Sequence, residues 1–319
     1  MANVLVTGAN GFIGGHVVRY LRETGGLSVH PGTRDGRAGS RRIELRDPAS
    51  LPAALAGIGA VVHCAVGDRA VTVDGTRDLL RAAASAGVRR VVYFSSMSVY
   101  GGATGCVTED TPLIDATGEG YAAWKAAAEQ ACLAETGVET VRLRPTVVYG
   151  PGGAWWLGQF AKRIQSGNWG TFGKAGEGIC NPVHISDVAS AVAAALSSDA
   201  AAAGQAFNVN GPETTTWNDW FSSLAYAIGA PPLQSLSPAA LQARVYASLP
   251  LKALGRVRPG LARNWLLGVP GRSELGLFAL QATYPTDAAR AAMGWQPTIP
   301  IAAGLASSVD WLRAEGLAA

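Results

Sequence analysis

A tyrosine and a lysine stand four residues apart in the stretch YAAWK, from Tyr121 to Lys125. In a helix, residues four apart lie on the same face, one turn from each other. Such a pair could be a phenol that exchanges a proton beside an ammonium that tunes it, or an ordinary pair on a helix surface. The pair alone does not decide, so its meaning depends on the elements that position it.

Three glycines, Gly8, Gly11 and Gly14, lie three residues apart, after the apolar run VLV and before an amphipathic segment. This spacing predicts a strand, a tight turn and a helix, in which the glycines permit the turn, the approach of a pyrophosphate and close helix–strand packing. The N-terminus of such a helix offers free N–H groups to phosphates. A glycine-rich turn without a ligand is the alternative, but the flanking strand and helix favour a dinucleotide site.

The end of the second predicted strand indicates which dinucleotide would bind. An acidic residue there usually binds the ribose 2′-hydroxyl of NAD, whereas here the strand is followed by Arg34. A guanidinium suits a 2′-phosphate in charge and in forked geometry. We therefore expect NADP(H), with assistance from Arg37, Arg41 and Arg42. If Asp35 rather than Arg34 faces the ribose, the expected cofactor becomes NAD(H).

Strands and helices alternate up to the run VETVRLRPTVVYG, which predicts an α/β fold with a doubly wound parallel sheet of the Rossmann type. Ligands of such sheets bind at the carboxyl ends of the strands. Ser95, Ser96 and Ser98 follow the predicted strand VVYF, and Tyr121 and Lys125 lie on the next helix. The serines and the Tyr–Lys pair are therefore expected to face the cleft that holds the cofactor.

These segments resemble those of the extended short-chain dehydrogenases/reductases, the NAD(P)-dependent epimerase/dehydratase family. The motifs occur in the family's order over about two thirds of the chain: T-G-x-x-G-x-x-G at Thr7–Gly14, ELRDPASL, HCA at His63–Ala65, SSMSVYG at Ser95–Gly101, Y-x-x-x-K at Tyr121–Lys125, LRPTVVYGPG at Leu143–Gly152 and NPVHISDVA at Asn181–Ala189. The runs YPTDAARAAMGWQP and AGLASSVDWLRAEG resemble the closing helix pair of the 3β-hydroxysteroid dehydrogenase-like and flavonol-reductase-like branches.

The resemblance implies an enzyme in which Ser96, Tyr121 and Lys125 are catalytic, with Ser95 and Ser98 as structural alternatives to Ser96. Tyr121 would exchange a proton with a substrate oxygen while hydride moves at the adjacent carbon. Lys125 and the charge of an oxidised nicotinamide would lower the pKa of Tyr121, and Lys125 would hold the nicotinamide ribose. Ser96 would orient the carbonyl.

The resemblance also implies a set of residues that contact the cofactor. By position they are Gly8, Asn10, Gly11, Phe12, Ile13, Gly14, Arg34, Glu44, Leu45, Ala65, Pro145 and Val148, together with Tyr121 and Lys125. His184 is a lone histidine in a strand-like stretch, and we expect a structural role for it.

Differences from the family pattern bear on the reaction. Sugar-nucleotide dehydratases typically show Thr-Asp-Glu where this chain has Ser96-Met97-Ser98, and sugar-nucleotide epimerases often have Asn at the position of Val147 and Arg at that of Cys180. These differences and the short segment after HCAV favour an NADP-dependent carbonyl reductase or alcohol dehydrogenase with a small-molecule substrate. A nucleotide-sugar epimerase with tightly held NAD is the alternative. A non-catalytic NADP-binding subunit is disfavoured, because such relatives usually lose the tyrosine or the lysine.

The second half of the chain is expected to leave the sheet and return to it. The predicted cofactor domain covers 1–152 and 179–211, and a smaller, mostly helical substrate lobe covers 153–178 and 212–319. Four tryptophans either line an apolar substrate cleft or fill the core of the lobe: Trp155, Trp156, Trp169 and Trp217.

Composition excludes several classes of protein. The chain has 319 residues, 48% of them hydrophobic and 15% charged, so it buries a core and is not disordered. Its net charge of +3 is too small to indicate nucleic-acid binding. Its four cysteines include no C-x-x-C pair, which argues against a metal site and suits a reducing compartment. Without a signal-peptide pattern or a long apolar run, a cytoplasmic protein with no integral membrane segment is expected.

One segment departs from the near-neutral charge. Residues 231–280 contain six Lys and Arg residues and a single acidic residue, Glu274, which gives +5. The ordinary interpretation is a solvated face, and the functional one is a surface for phosphate, carboxylate or lipid headgroups. Within it, residues 237–280 are expected first as a substrate lid, with a dimer surface or a peripheral membrane contact as alternatives. We expect a homodimer.

Overall fold

A parallel sheet forms the centre of the protein. The structure, a computed structural model, describes residues 2–37, 39–255 and 263–319. Its strands are β1 (Ala2–Thr7), β2 (Leu27–Thr33), β3 (Arg41–Arg42), β4 (Ala60–His63), β5 (Arg90–Phe94), β6 (Gly105–Cys106), β7 (Glu139–Pro145), β8 (Val147–Tyr149), β9 (Ile179–Cys180), β10 (Pro182–His184), β11 (Ala206–Val209), β12 (Thr215–Thr216) and β13 (Ala282–Thr283). Its α-helices are α1 (Phe12–Thr24), α2 (Leu51–Leu55), α3 (Gly75–Ser85), α4 (Tyr121–Ala134), α5 (Gln159–Gln165), α6 (Ile185–Ser197), α7 (Trp217–Ala227), α8 (Pro238–Gly255), α9 (Arg263–Leu267), α10 (Arg272–Phe278), α11 (Asp287–Met293) and α12 (Ile301–Ala314).

The strand order of the central sheet is β11-β7-β5-β4-β1-β2-β3, and the neighbouring strands run parallel. From β1 the chain winds outward through β2 and β3, then crosses back to β4 and winds the other way. The order therefore reverses between β1 and β4, and the crevice at their carboxyl ends is where ligands of such sheets bind. The predicted α/β Rossmann fold is confirmed, as is the helical character of the C-terminal portion.

Helices cover both faces of the sheet because successive strand residues point to opposite sides. In β1, Val4 and Val6 join one buried cluster with α1 and α6, while Leu5 joins a second cluster with α2, α3 and α4. Strands buried on both faces read as continuous apolar runs, and the run VVYF that ends β5 follows that rule. The sheet is thus a rigid base whose strand ends can hold side chains in fixed positions.

The helices outside the sheet pack around an aromatic cluster of their own. Trp217 lies 4.8 Å from Phe278 between ring centroids, and Phe160 lies 5.0 Å from Phe221. Trp169 is also buried in this cluster. Trp169 and Trp217 therefore fill the core of the lobe, as the second of the two interpretations expected.

The last part of the chain returns to the sheet domain. The carboxylate of Asp187, at the start of α6, accepts hydrogen bonds from the backbone N–H groups of Thr298 and Ile299, both at 3.0 Å. The expected closing helix pair is present as α11 and α12. Residues 256–262, within the segment that we expected to be a lid, lie outside the described residues. Among the helices that the structure describes, none is long and apolar enough to cross a membrane.

Candidate active site

The glycine turn between β1 and α1 is shaped so that side chains would not fit. Gly8 has a φ of +66°, which favours glycine, and a Cβ there would lie 2.9 Å from the backbone nitrogen of Ala65. A Cβ at Gly14 would overlap the carbonyl oxygen of Gly8. Helix α1 begins at Phe12, and its N-cap Gly11 supplies no side-chain cap. The first N–H groups of α1 are thus left for an anion, which fits the pyrophosphate of a dinucleotide.

A buried histidine connects this turn to the end of β4. Thr7 Oγ1 lies 2.7 Å from Nδ1 of His63, and Nε2 of His63 lies 3.0 Å from Oγ1 of Thr76. The single hydroxyl proton of Thr76 is donated to the carbonyl oxygen of Thr72 at 2.7 Å. Thr76 must therefore accept its hydrogen bond from His63, which puts the imidazole proton on Nε2. Nδ1 of His63 is then the acceptor of the Thr7 hydroxyl.

The same chain of hydrogen bonds ends on the loop expected to hold phosphates. Thr7 Oγ1 accepts a 3.3 Å hydrogen bond from the backbone N–H of Ala65, whose backbone closes over Gly8. Burial, helped by the charge of Lys125, lowers the pKa of His63 to about 3. The imidazole therefore stays neutral over the ordinary pH range and keeps its tautomer. We interpret His63 as the residue that fixes Ala65 and the glycine turn relative to each other.

The residues expected to contact the adenosine end of the cofactor lie just after two neighbouring strands. Arg34 follows β2, and Glu44 and Leu45 follow β3, where the N–H of Ile43 donates to Thr33 at 2.9 Å. Arg34 is exposed. Asp35 forms an ion pair with Arg37 at 2.5 Å.

The pKa of Asp35 is lowered, with the nearby Thr33 hydroxyl as the largest cause and the charge of Arg37 as a further one. Arg41 donates to the carbonyl oxygens of Ala54 and Ala56 at the end of α2. Arg41 therefore does not assist Arg34 in the way that the sequence suggested, and Arg37 is already paired.

Ser96, Tyr121 and Lys125 lie together at the carboxyl end of β5. Tyr121 is the first residue of α4, it is 49% exposed, and its phenol is near enough to the Ser96 hydroxyl for that hydroxyl to lower the pKa of the phenol. Lys125, one turn further, is 3% exposed, and its Nζ donates to the carbonyl oxygen of Phe94 at 2.6 Å. The same Nζ lies 5.9 Å from the ring centroid of Tyr121. The phenol is open to a substrate while the ammonium lies beneath it.

Burial shifts the pKa values of Tyr121 and Lys125. Desolvation raises the pKa of Tyr121, and the hydrogen bond with Ser96 offsets part of that rise. Desolvation likewise lowers the pKa of Lys125 to about 8, against the opposing influence of Cys64, Cys132 and Glu129. The sequence had suggested that the lysine lowers the pKa of the tyrosine. The direction is the opposite, because desolvation is the largest influence on the pKa of Tyr121.

The three candidate serines differ in their contacts. Oγ of Ser96 accepts a 3.2 Å hydrogen bond from the N–H of Ser98 and caps the short helical turn that follows β5. The hydroxyls of Ser95 and Ser98 are buried and have no hydrogen-bond partner among the described residues. Of the three serines, Ser96 is the one whose hydroxyl influences the pKa of Tyr121.

A buried ionic network holds α4 against β7, and the sequence analysis did not find it. Arg144 donates to both carboxylate oxygens of Glu129, at 2.9 and 2.6 Å, and to the hydroxyl of Tyr100 at 2.8 Å. Tyr100 in turn donates to Asn208 at 2.7 Å. Glu129 lies one turn after Lys125 on the same helix face. The sequence does contain a signal for this network: Arg144 lies in a strand expected to be buried, and a buried charge requires a partner.

Three further residues that the sequence analysis singled out, Pro145, Val148 and His184, are buried, whereas Asn10 at the glycine turn is exposed. Pro145 ends β7 and Val148 lies in β8, which pairs with β10. His184 caps α6 by accepting from the N–H of Ser186 at 3.3 Å, and it lies 3.2 Å from the hydroxyl of Ser307. These contacts agree with a structural role for His184.

A cavity of about 750 Å³ lies elsewhere, between α5 and α9. Trp155 and Lys162 stand on one side of it and Leu267 on the other, and none of the predicted site residues lines it. The predicted site residues therefore lie at the strand ends and not in this cavity.

Comparison with known proteins agrees with this geometry. The family model described as "NAD dependent epimerase/dehydratase family" matches residues 4–210. The chain is 30% identical to the 2-alkyl-3-oxoalkanoate reductase of Stenotrophomonas maltophilia, covering 95% of this chain and 97% of that protein. It is 29% identical to the UDP-glucose 4-epimerase of Mycolicibacterium smegmatis, covering 97% and 98%. The solved structure of MoeE5 in complex with UDP-glucose and NAD superposes with a TM-score of 0.72 at 27% identity, covering 98% and 99%.

Proposed function

Because the chain belongs to the NAD dependent epimerase/dehydratase family and is an enzyme of the extended short-chain dehydrogenase/reductase type, we propose that it is an NADP-dependent oxidoreductase. It transfers hydride between the nicotinamide and a carbonyl or secondary alcohol. The observation that carries the proposal is the grouping of Ser96, Tyr121 and Lys125 at the carboxyl end of β5. Families of this fold host several reactions, so the site rather than the fold supports the function.

The glycine turn, the free N-terminus of α1 and the loop at Ala65 would hold the cofactor, which would supply or accept the hydride. Tyr121 delivers a proton to the carbonyl oxygen in the direction of reduction and removes it in the direction of oxidation. Ser96 hydrogen-bonds to the same oxygen and orients it. The positive charge of Lys125, beneath the ring, stabilises the phenolate that remains after Tyr121 has given up its proton.

Two observations support NADP(H) over NAD(H). Asp35, the residue that would bind a ribose 2′-hydroxyl, is paired with Arg37. Arg34 is exposed, and no carboxylate of the described residues lies within 4 Å of it. A free guanidinium beside an occupied carboxylate favours a 2′-phosphate.

The substrate side supports a reductase. Val147 and Cys180 are fully buried in the aromatic cluster of the lobe, so neither presents a polar group to a nucleotide diphosphate. A relative that spans nearly the whole chain is a reductase of 2-alkyl-3-oxoalkanoates, and we propose a ketone with apolar substituents as the substrate. The likeness to a UDP-glucose 4-epimerase over nearly the same length keeps epimerisation as the second candidate.

A substrate panel with the purified protein tests the proposal. We expect NADPH to be consumed in stoichiometric amounts with a 2-alkyl-3-oxoalkanoate or a related ketone, and UDP-glucose to remain unchanged. In the Tyr121→Phe variant we expect turnover to fall by about 10²-fold or more, while a fluorescence titration shows unaltered NADPH binding. Redox-neutral conversion of UDP-glucose would establish the epimerase instead, and full activity of Tyr121→Phe would remove the assigned proton donor.

We further propose the division of the chain into a cofactor domain, residues 1–152 and 179–211, and a substrate lobe, residues 153–178 and 212–319. The separate aromatic cluster of the lobe supports this division. A homodimer is part of the same proposal.

A further inference from the structure

Arg144 lies in β7, and its buried side chain contacts three separate parts of the chain. It donates to both carboxylate oxygens of Glu129 in α4, at 2.9 and 2.6 Å, and to the hydroxyl of Tyr100 at 2.8 Å. It also donates to the carbonyl oxygen of Glu109 at 3.1 Å. A guanidinium is planar and its donors point in fixed directions. The groups that bind it are therefore held in fixed positions relative to one another.

Two of these contacts lead to the proposed catalytic group. Tyr100 ends the short helical turn that Ser96 caps. Glu129 lies on α4 one turn after Lys125 and two turns after Tyr121, on the same face of the helix. The guanidinium therefore joins the turn that carries the serine to the helix that carries the tyrosine and the lysine.

The third contact fixes the segment between that turn and α4. The carboxylate of Glu109 accepts from the backbone N–H of Asn208 in β11 at 2.7 Å, and Nδ2 of Asn208 donates to the carbonyl oxygen of Val107 at 3.0 Å. Oδ1 of Asn208 accepts from the hydroxyl of Tyr100 at 2.7 Å. That hydroxyl thus has both a donor, Arg144, and an acceptor. The segment that leads into α4 is bound to β7 and β11 through these side chains.

A network that only stabilises the fold is the alternative. A buried ion pair often stabilises a protein no more than apolar residues of similar volume do, because both charges lose their hydration. Apolar packing does not fix directions as a fork of donors does. Catalytic groups need that precision, since a misplacement of about 1 Å can slow a reaction by about 10²-fold. The place of the network, beside the catalytic group, therefore favours a role in orientation.

We propose that Arg144 is a positioning residue, which through Glu129 and Tyr100 sets the distance between the hydroxyls of Ser96 and Tyr121. The inference rests on the proposed function, because it concerns the same site. Its effect falls mainly on kcat. The glycine turn that would hold the phosphates of the cofactor follows β1, which is separated from β7 by β5 and β4 in the sheet.

Replacement of both charges tests whether the network does more than stabilise. The double variant Arg144→Met/Glu129→Leu exchanges the ion pair for apolar side chains of similar volume, so we expect a thermal unfolding midpoint close to that of the wild type. With NADPH and a 2-alkyl-3-oxoalkanoate, we expect kcat to fall by about 10²-fold while KM for NADPH stays nearly unaltered. Wild-type kcat in the folded double variant would overturn the inference.

A second variant keeps the test decisive if the double variant does not fold. Tyr100→Phe removes only the hydroxyl between Arg144 and Asn208 and keeps the ring, and we expect kcat to fall by about tenfold. Tyr93→Phe is the matched control, because it also removes a buried tyrosine hydroxyl, one without a hydrogen-bond partner among the described residues. Its kcat should equal that of the wild type. A kcat for Tyr100→Phe equal to that of Tyr93→Phe would contradict the positioning role.

Crystal structures of the wild type and the variants separate this inference from the proposed reaction. We expect Oγ of Ser96 and Oη of Tyr121 to lie farther apart in the double variant and in Tyr100→Phe, by up to about 1 Å. If the wild type reduces no ketone, the proposed function fails, and this distance alone decides the role of Arg144. An unaltered distance in the variants would overturn that role whatever the activity.

Discussion

Nζ of Lys125 donates a 2.6 Å hydrogen bond to the carbonyl oxygen of Phe94, the last residue of β5. The contact joins the helix that carries Tyr121 to the strand end that carries Ser96. Lys125, which we propose as catalytic, therefore also holds α4 at a fixed distance from the end of β5 that carries the serine. Its lowered pKa follows from the burial that this bracing requires.

Replacing Ser96 should slow turnover far more than replacing Ser98. Ser96→Ala removes the hydroxyl that reaches Tyr121, and we expect kcat/KM to fall by about 10²-fold, as for the loss of one stabilising donor. Ser98→Ala is the matched control, because its hydroxyl has no partner among the described residues. Steady-state kinetics with NADPH would measure both variants. A larger fall in kcat/KM for Ser98→Ala than for Ser96→Ala would show that Ser98 is the serine that orients the carbonyl.

Removing the guanidinium at position 34 should change the choice of cofactor. We expect Arg34→Ala to raise KM for NADPH by about tenfold or more, the worth of a lost charge-assisted hydrogen bond, and to leave KM for NADH unchanged. Arg41→Ala serves as the control, because Arg41 is bound to carbonyl oxygens of α2. The ratio of the two Michaelis constants is the readout. An unaltered ratio in Arg34→Ala would show that another residue selects the cofactor.

The buried imidazole of His63 should make the protein sensitive to acid. Its pKa is about 3 when folded and about 6.5 when unfolded, so between these values the unfolded chain binds more protons. The free energy of unfolding therefore falls as the pH drops through this window, by roughly 3 kcal/mol between pH 7 and pH 4.

Urea unfolding at the two pH values would measure this loss. His63→Gln should reduce it, since glutamine can still accept from Thr7 and donate to Thr76 but does not titrate. His30→Gln, at a half-buried histidine, should retain most of the loss. Equal acid sensitivity in the wild type and His63→Gln would show that other groups cause it.

The ion pair between Glu129 and Arg144 should matter greatly to stability. Glu129→Gln leaves the buried guanidinium of Arg144 without its counter-charge, and we expect about 3–5 kcal/mol to be lost from the free energy of unfolding. Asp287→Asn removes an exposed ion pair with Arg290, and its cost should stay below about 1 kcal/mol. Urea unfolding at neutral pH compares the two. Similar small losses would mean that α4 is held by packing alone.

Local patterns were enough to predict the sheet and the glycine turn, because both depend on spacing along the chain. The strand–helix order likewise placed the serines after β5 at the same edge as Tyr121, whereas the choice of Ser96 among them came from the family resemblance. The direction of the pKa of Tyr121 did not follow, since it depends on burial by distant residues. The partner of Arg144 was also missed, because Glu129 approaches it only when α4 is packed on β7. For Trp169 and Trp217, the sequence allowed either a substrate cleft or the core of the lobe. Contacts with residues distant along the chain place both in the core.

The edge strand β11 is made of residues 206–209 and pairs with β7, which ends at residue 145. During synthesis, the hydrogen-bonding edge of β7 therefore leaves the ribosome about sixty residues before its partner. A nascent chain of that length has an open edge available to other strands. Completion of the sheet has to wait until the residues between β7 and β11 have been translated, so the edge of β7 stays unpaired throughout this interval.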